Sequence, residues 1–270
     1  VSTGGIGRAT IAGDVLGNNF TIAGPVTSLT VGGEFYTTLI LQGPQVARLG
    51  RMIVTGPIGG IIISAGQIEL IQSLTGAISA DITTPPEAIN GNMGSVIAAG
   101  AFLGNLISSG NLTLLSANGV VGVDPSDPVL APDHKPRVIQ VGGDLGTLST
   151  GGKAKKGVPV VPMNLYSDVI VDGSCGTLRV AGGLFGDLLI NGNVTTLAIN
   201  GQVGALFDLD GPLPGPLVMR GNINVRGSLG ALTLAPGSNI LSDVTFGGDM
   251  AAITVVNGTI SGNLTSLYGS

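Results

Sequence analysis

A unit of nine to ten residues, apolar-x-apolar-x-Gly-x-apolar-x-x-apolar, recurs along almost the whole chain, and few folds accommodate such a repeat. Its clearest copy is Leu188-Leu-Ile190-Asn-Gly192-Asn-Val194-Thr-Thr-Leu197, which runs directly into Leu197-Ala-Ile199-Asn-Gly201-Gln-Val203-Gly-Ala-Leu206. Earlier copies are Leu29-Thr-Val31-Gly-Gly33-Glu-Phe35 and Leu39-Ile-Leu41-Gln-Gly43-Pro-Gln-Val46-Ala-Arg-Leu49. Later ones are Val225-Arg-Gly227-Ser-Leu229-Gly-Ala-Leu232-Thr-Leu234 and Phe246-Gly-Gly248-Asp-Met250-Ala-Ala-Ile253-Thr-Val255. The last, Ile260-Ser-Gly262-Asn-Leu264-Thr-Ser-Leu267, lies close to the final residue.

Each part of the unit has a physical role. Alternation at Leu-x-Ile places two apolar side chains on one face of a short strand. Gly-Asn or Gly-Asp then turns the chain, since both residue types tolerate positive φ. One more inward apolar residue and a two-residue spacer lead to the next strand. Strands this short are unstable as isolated hairpins, but coils stacked on one another pair each strand with the copies above and below. The expected fold is therefore an all-β, right-handed parallel β-solenoid forming one domain over residues 1–270. Two or three units per coil predict about 18 to 30 residues per turn. Some ten coils spaced by about 4.8 Å make a rod on the order of 50 Å long. An antiparallel sandwich also uses short strands and glycine turns, but gives no reason for a fixed Leu-x-Ile-x-Gly spacing.

Composition agrees with this expectation. Glycine supplies 47 of 270 residues without a Gly-X-Y period, which excludes collagen. Aromatics are 3% and tryptophan is absent, so the core is built of Val, Ile, Leu and Ala. Charged residues are 10% and the net charge is −5, too few cations for nucleic acid or an anionic membrane surface as partner. Glycine and polar residues interrupt every apolar run, so no membrane-spanning helix is expected. A single cysteine, Cys175, excludes an internal disulfide and reads as a small turn or core residue. The opening Val-Ser-Thr-Gly-Gly has neither an initiator methionine nor a signal-peptide pattern, as expected of a processed or excerpted piece. Segments that break the repeat predict projecting loops at about 81–88, 121–137, 150–166 and 207–217.

Tests for chemistry return no catalytic, cofactor or metal residues. Thr3-Gly-Gly-Ile-Gly-Arg-Ala9 resembles a dinucleotide-binding turn but lacks a preceding strand, and Ile170 stands where a Tyr166-x-x-x-Lys pair needs lysine. In Gly151-Gly-Lys-Ala-Lys-Lys, Thr147 and Ala154 replace residues that a phosphate-binding loop requires. His134 is the only histidine, in a proline-rich loop. Asp208 with Asp210, or Asp124 with Asp127 and Asp133, lack the ordered spacing of a calcium loop. Asp14, Asp144, Asp187 and Asp249 occupy the turn slot that Asn193 and Asn263 also fill, so their expected work is turning the chain. Candidate glycosylation sequons stand at Asn19, Asn111, Asn193, Asn257 and Asn263, although a Gly-Asn repeat generates such triplets by itself. Ice binding needs a flat Thr-x-Thr ladder, and the threonines are scattered along the sequence.

The run Gly-[Asn/Asp]-[Val/Leu]-x-x-Leu-x-[Val/Ile]-x-Gly resembles the long, repetitive, secreted β-helix proteins of bacteria. These are the filamentous-haemagglutinin and autotransporter-passenger class and the giant repeat proteins of planctomycete-like genomes. The resemblance implies an extracellular or cell-surface structural or adhesive role and carries over no functional residue. The expected function is a non-enzymatic protein that associates with itself through open solenoid ends or sides into a filament or surface layer. Open strand edges and a surface poor in charge motivate that expectation. An adhesin or carbohydrate-binding module using the loops, with glycans or other surface proteins as partners, is the alternative. A polysaccharide-active enzyme is the second.

Overall fold

Stacking decides the architecture. The computed structural model describes residues 4–43, 47–88, 90–125, 127, 129, 135–151, 163–208 and 217–268. Two eleven-stranded parallel sheets run its length, and odd and even strands alternate between them, as a coiling chain requires. The broad sheet begins with Ile6–Ile11 and ends with Met250–Thr254; the narrow sheet begins with Val15–Ile22 and ends with Leu264–Ser266. A third side is a column of single parallel bridges from Ile58 through Ile78, Phe102, Val121, Leu165, Leu184 and Val203 to Ile260. The protein is a three-sided β-solenoid. No helix among the described residues is long and apolar enough to cross a membrane.

Unequal spacers produce three sides from one degenerate repeat. Val194-Thr-Thr-Leu197-Ala-Ile199 is a single six-residue strand whose first, fourth and sixth side chains are buried. Its two-residue spacer therefore stays inside the strand. In the other half-coil, three residues separate Leu184 on the bridge column from Leu188 on the narrow sheet, and there the chain turns a corner. Leu184 to Val194 is ten positions and Val194 to Val203 is nine, so one coil uses both lengths. Val194, Leu197, Ile199, Leu184 and Leu188 are all 2% exposed or less, and each sits in a column of like residues from the coils above and below. Burial of those columns, at about 25 cal/mol per Å² of apolar surface, is the main source of stability.

The corner leading from the narrow to the broad sheet explains the Gly-[Asn/Asp] pair. Seven glycines, from Gly91 through Gly110, Gly143, Gly173, Gly192 and Gly227 to Gly248, are joined coil to coil by backbone hydrogen bonds of 2.8–3.2 Å. The residue after each glycine forms a second column. Asn92 Oδ1 accepts the Asn111 N–H, Asn111 Oδ1 that of Asp144, and Asp144 Oδ1 that of Ser174, each at 2.8 Å. Ser174, Asn193 and Ser228 continue it as far as the Asp249 N–H. The expectation that these glycines turn the chain through positive φ is corrected here, because none of the seven has a left-handed backbone. They are glycine because the coils approach too closely. A Cβ on Gly192 would lie 2.6 Å from the Gly173 carbonyl oxygen, and one on Gly227 would lie 2.7 Å from that of Gly192.

Expected boundaries shift at several places. Asp81–Thr83 is a strand paired with both of its neighbours in the narrow sheet, so the departure expected at 81–88 begins only at Thr84. Leu206, placed inward by the repeat, is 56% exposed. It belongs to an antiparallel pair, Ala205–Asp208 with Leu217–Arg220, that leaves the rod, and Ile223 takes the vacated core position. Val121 and Leu165, inside the loops expected at 121–137 and 150–166, are members of the bridge column. Residues 44–46, including Val46, and residues 130–134, 152–162 and 209–216 lie outside the described residues.

Candidate functional site

One corner collects most of the departures from the repeat. Between the bridge column and the narrow sheet, the coils from Asp81 to Asn263 place an acid or amide at the start of the narrow strand, with one exception. Asp81 Oδ1 accepts the Asn105 backbone N–H at 2.8 Å and its Nδ2–H at 3.0 Å, and Asn105 Oδ1 accepts the Val138 N–H at 2.9 Å. Further along, Asp168 accepts from Asp187, Asp187 from Asn222, Asn222 from Asp243 and Asp243 from Asn263. The column is broken at a single coil, where Val138 holds the slot. Both the 122–137 segment and the 205–220 hairpin leave the rod from this corner.

A cleft of about 320 Å³ opens at the break, lined by Ser79, Asp81, Leu103, Asn105, Val123 and Arg137. Val123 and Arg137 come from the two ends of the inserted segment, while the other four belong to the coils beneath. The Arg137 carbonyl accepts the Asp168 N–H at 2.9 Å, which fixes the backbone of that wall. On the next two coils, the Tyr166 and Phe185 rings pack with centroids 5.4 Å apart, and Asn164 Nδ2–H donates to the Tyr166 hydroxyl at 2.9 Å. Burial, with the Asp124 carboxylate nearby, raises the Tyr166 pKa above the ordinary phenol value, although the Asn164 bond opposes this.

The buried guanidinium of Arg220 ties the hairpin to the rod. It forms an ion pair with Asp168, and its Nε–H donates to the Phe185 carbonyl at 3.4 Å. Burial of Asp168 outweighs the attraction of Arg220, so the carboxyl pKa stands above the usual range. The partners are 52 residues apart, with the hairpin between them, and no sequence pattern joins them.

Residues singled out from sequence are placed as follows. Asp14, Asp144 and Asp187 each accept a backbone N–H from the next coil, but the single turn slot expected for them is three. Asp14 stands before the bridge column, Asp144 with Asn193 and Asp249 before broad-sheet strands, and Asp187 with Asn263 before narrow-sheet strands. Asp249 closes the longest corner column as a donor. All five sequon asparagines are exposed; Asn111 and Asn193 are rungs of that column, and Asn257 has φ 54°. Cys175 is a buried core residue whose thiol is pushed up to about 12 by burial. Among the described residues, no group of three or more His, Cys, Asp and Glu side chains is placed to hold a metal. Thr3, His134, Asp133, Asp210 and residues 152–162 lie outside the described residues. Stacking aligns Thr147, Thr177 and Thr196 in one outward column, but Ser149, Arg179 and Ala198 stand beside them instead of a second threonine row.

No protein family, characterised protein or solved structure matches the chain. The architecture is nevertheless that of repeat β-helix proteins, and chemistry has to be read from the site itself.

Proposed function

We propose that this chain is a non-enzymatic structural rod of the cell exterior that lengthens by coaxial association with further copies of itself. One observation carries the reading. Two core columns, 0–1% exposed at Ile240 and Val244, emerge at the last described coil as Ile260 and Leu264, 44% and 45% exposed. The first coil likewise leaves Ile6, Ala9 and Ile11 only partly covered. Its strand Ile6–Ile11 and the last strand Leu264–Ser266 are each paired on one side alone. An apolar face bordered by a sheet-edge strand matches another solenoid coil better than it matches water, whether that coil comes from a further copy or from adjoining chain. The resemblance of the repeat to the secreted β-helix proteins of bacteria supports the external location.

Sedimentation equilibrium tests the association. The native chain is expected to gain mass with concentration, and a variant carrying Ile260→Lys and Leu264→Lys to remain a single rod. A native chain that stays single at every concentration contradicts the reading. Protease treatment of intact cells checks the location.

A second reading rests on the shared corner of the 122–137 segment and the 205–220 hairpin. Two insertions on one edge of a rigid rod form a presenting surface suited to an adhesin or carbohydrate-binding module. Trimming the hairpin is expected to remove binding to a surface glycan and to leave coaxial association intact.

A further inference from the structure

We propose that the third side of the first five coils binds a neutral, extended polysaccharide, with one sugar ring packed on Tyr36 and hydroxyls bonded to Asp81 and Ser79. The site is separate from the open ends and from the hairpin, so it rests on neither reading given above.

The site begins with a column of outward side chains. Each of these coils directs one residue away from the core just after its bridge residue, and Leu16, Tyr36, Gly59, Ser79 and Leu103 align there in succession. Tyr36 is 41% exposed, and its strand Phe35–Leu41 is paired on both sides, which holds the backbone beneath it rigid. Gly59, one coil on, is buried despite its outward position, because the Tyr36 ring covers it. A Cβ on Gly59 would overlap Cδ1 and Cε1 of that ring. The ring therefore lies along the rod axis across the next coil, and part of it stays open to solvent.

Polar groups adjoin the ring at its far end. The same Cβ position on Gly59 stands 3.3 Å from Ser79 Oγ. Ser79 is in turn a wall of the cleft of about 320 Å³ that holds Asp81 and Leu103, so ring and cleft are continuous along the axis. Asp81 spends Oδ1 on both bonds from Asn105, which leaves Oδ2 to accept from a hydroxyl. Ser79 Oγ–H donates weakly to the Ile58 carbonyl at 3.4 Å and keeps its own acceptor capacity. Arg137, already engaged within the protein, takes no part.

These features select the occupant. A pyranose ring presents an apolar C–H face and a rim of hydroxyls, which match an aromatic platform bordered by acceptors. The Asp81 carboxylate opposes an anionic polymer. A peptide strand finds no free sheet edge here, since Phe35–Leu41 is already paired on both sides. The column is straight, and a (1→4)-β-linked hexose chain is extended and advances per residue by close to one coil spacing, about 4.8 Å. One ring on Tyr36 and a further ring in the cleft, whose volume stands at the lower end of ligand sites, fit one such chain.

Isothermal titration of the full chain with cellohexaose, maltohexaose and hexagalacturonate tests the proposal. Cellohexaose is expected to saturate, and the coiled and the anionic oligosaccharide to bind at least about tenfold more weakly. Tyr36→Ala is expected to lower cellohexaose affinity by about three- to tenfold, and Tyr36→Phe to keep it within about twofold. Gly59→Ala, which displaces the Tyr36 ring, is expected to weaken binding as Tyr36→Ala does, with an unchanged unfolding curve that separates loss of the site from loss of the fold. Asp81→Asn keeps the Oδ1 bonds but turns the free acceptor into a donor, and is expected to cost about tenfold. No saturation by cellohexaose, equal affinity for maltohexaose, or full affinity in Tyr36→Ala overturns the proposal. Sedimentation of Tyr36→Ala is expected to match the native chain, so this site and coaxial association are read separately. A lower mass for that variant would assign the patch to a contact between copies and equally overturn the proposal.

Discussion

At the scale of single residues, the informative groups are the few polar ones that the stack encloses. Cys175 is 1% exposed and its thiol is raised to about 12, so almost no thiolate exists at pH 8. Cys175 is expected to resist a thiol reagent in the native rod and to react at once in denaturant, and fast native labelling would contradict its placement in the core. Arg220 and Asp168 form the second case. Breaking a buried pair on one side costs about 3–5 kcal/mol. Arg220→Met is therefore expected to destabilise by about that amount, and Arg220→Met with Asp168→Asn by less. The pH dependence follows from the raised carboxyl pKa of Asp168. A group whose pKa is higher folded than unfolded contributes stability at low pH and loses it as pH rises through the folded value. The stability difference between the native chain and Asp168→Asn is thus expected to widen as pH falls from 7 toward about 4. Denaturant titrations at the two pH values measure it, and a difference that narrows would show that the attraction of Arg220 exceeds the cost of burial.

At the scale of elements, the corners carry the specificity. The strand cores were legible in the sequence, because Val194, Leu197 and Ile199 alternate with glycine and polar residues in a fixed frame. The corners were legible only as to their residue types. Gly192 and Asn193 mark a turn in any reading, but that the glycine serves close approach between coils is visible only once Gly173 is stacked beneath it. Two substitutions separate that account from a conformational one. Gly192→Ala is expected to cost about 1–3 kcal/mol through overpacking. Gly13→Ala, where a Cβ meets nothing within 4 Å, is expected to be neutral or to stabilise by about 0.4–1 kcal/mol. Thermal unfolding of the two variants checks both, and similar values for the pair would sink the steric explanation. The hairpin carries no repeat signal, because Ala205–Asp208 and Leu217–Arg220 pair with each other and leave the repeat frame. The cleft had no sequence signal at all, since its walls come from three coils and meet only through the winding of the chain.

At the scale of the whole molecule, the solenoid turns a weak local pattern into a rigid object with two distinct kinds of surface. Its flanks carry hydrogen-bonded corner columns and small outward side chains, while the first and last described coils leave core positions partly uncovered. Eleven coils at about 4.8 Å give a rod on the order of 50 Å. Because each coil contacts chiefly its neighbours, stability is expected to be spread along the rod and to weaken toward coils with one open side. Amide exchange should accordingly be slowest around Leu112–Val180 and fastest at Ile6–Ile11 and Leu264–Ser266. The central claim is that the ends, rather than the flanks, join copies together. Electron microscopy of the native chain at neutral pH, with light scattering on the same sample, tests it most directly. The account predicts unbranched chains one rod wide with an axial repeat of about 50 Å; isolated short rods at high concentration, or rods joined side by side, would contradict it.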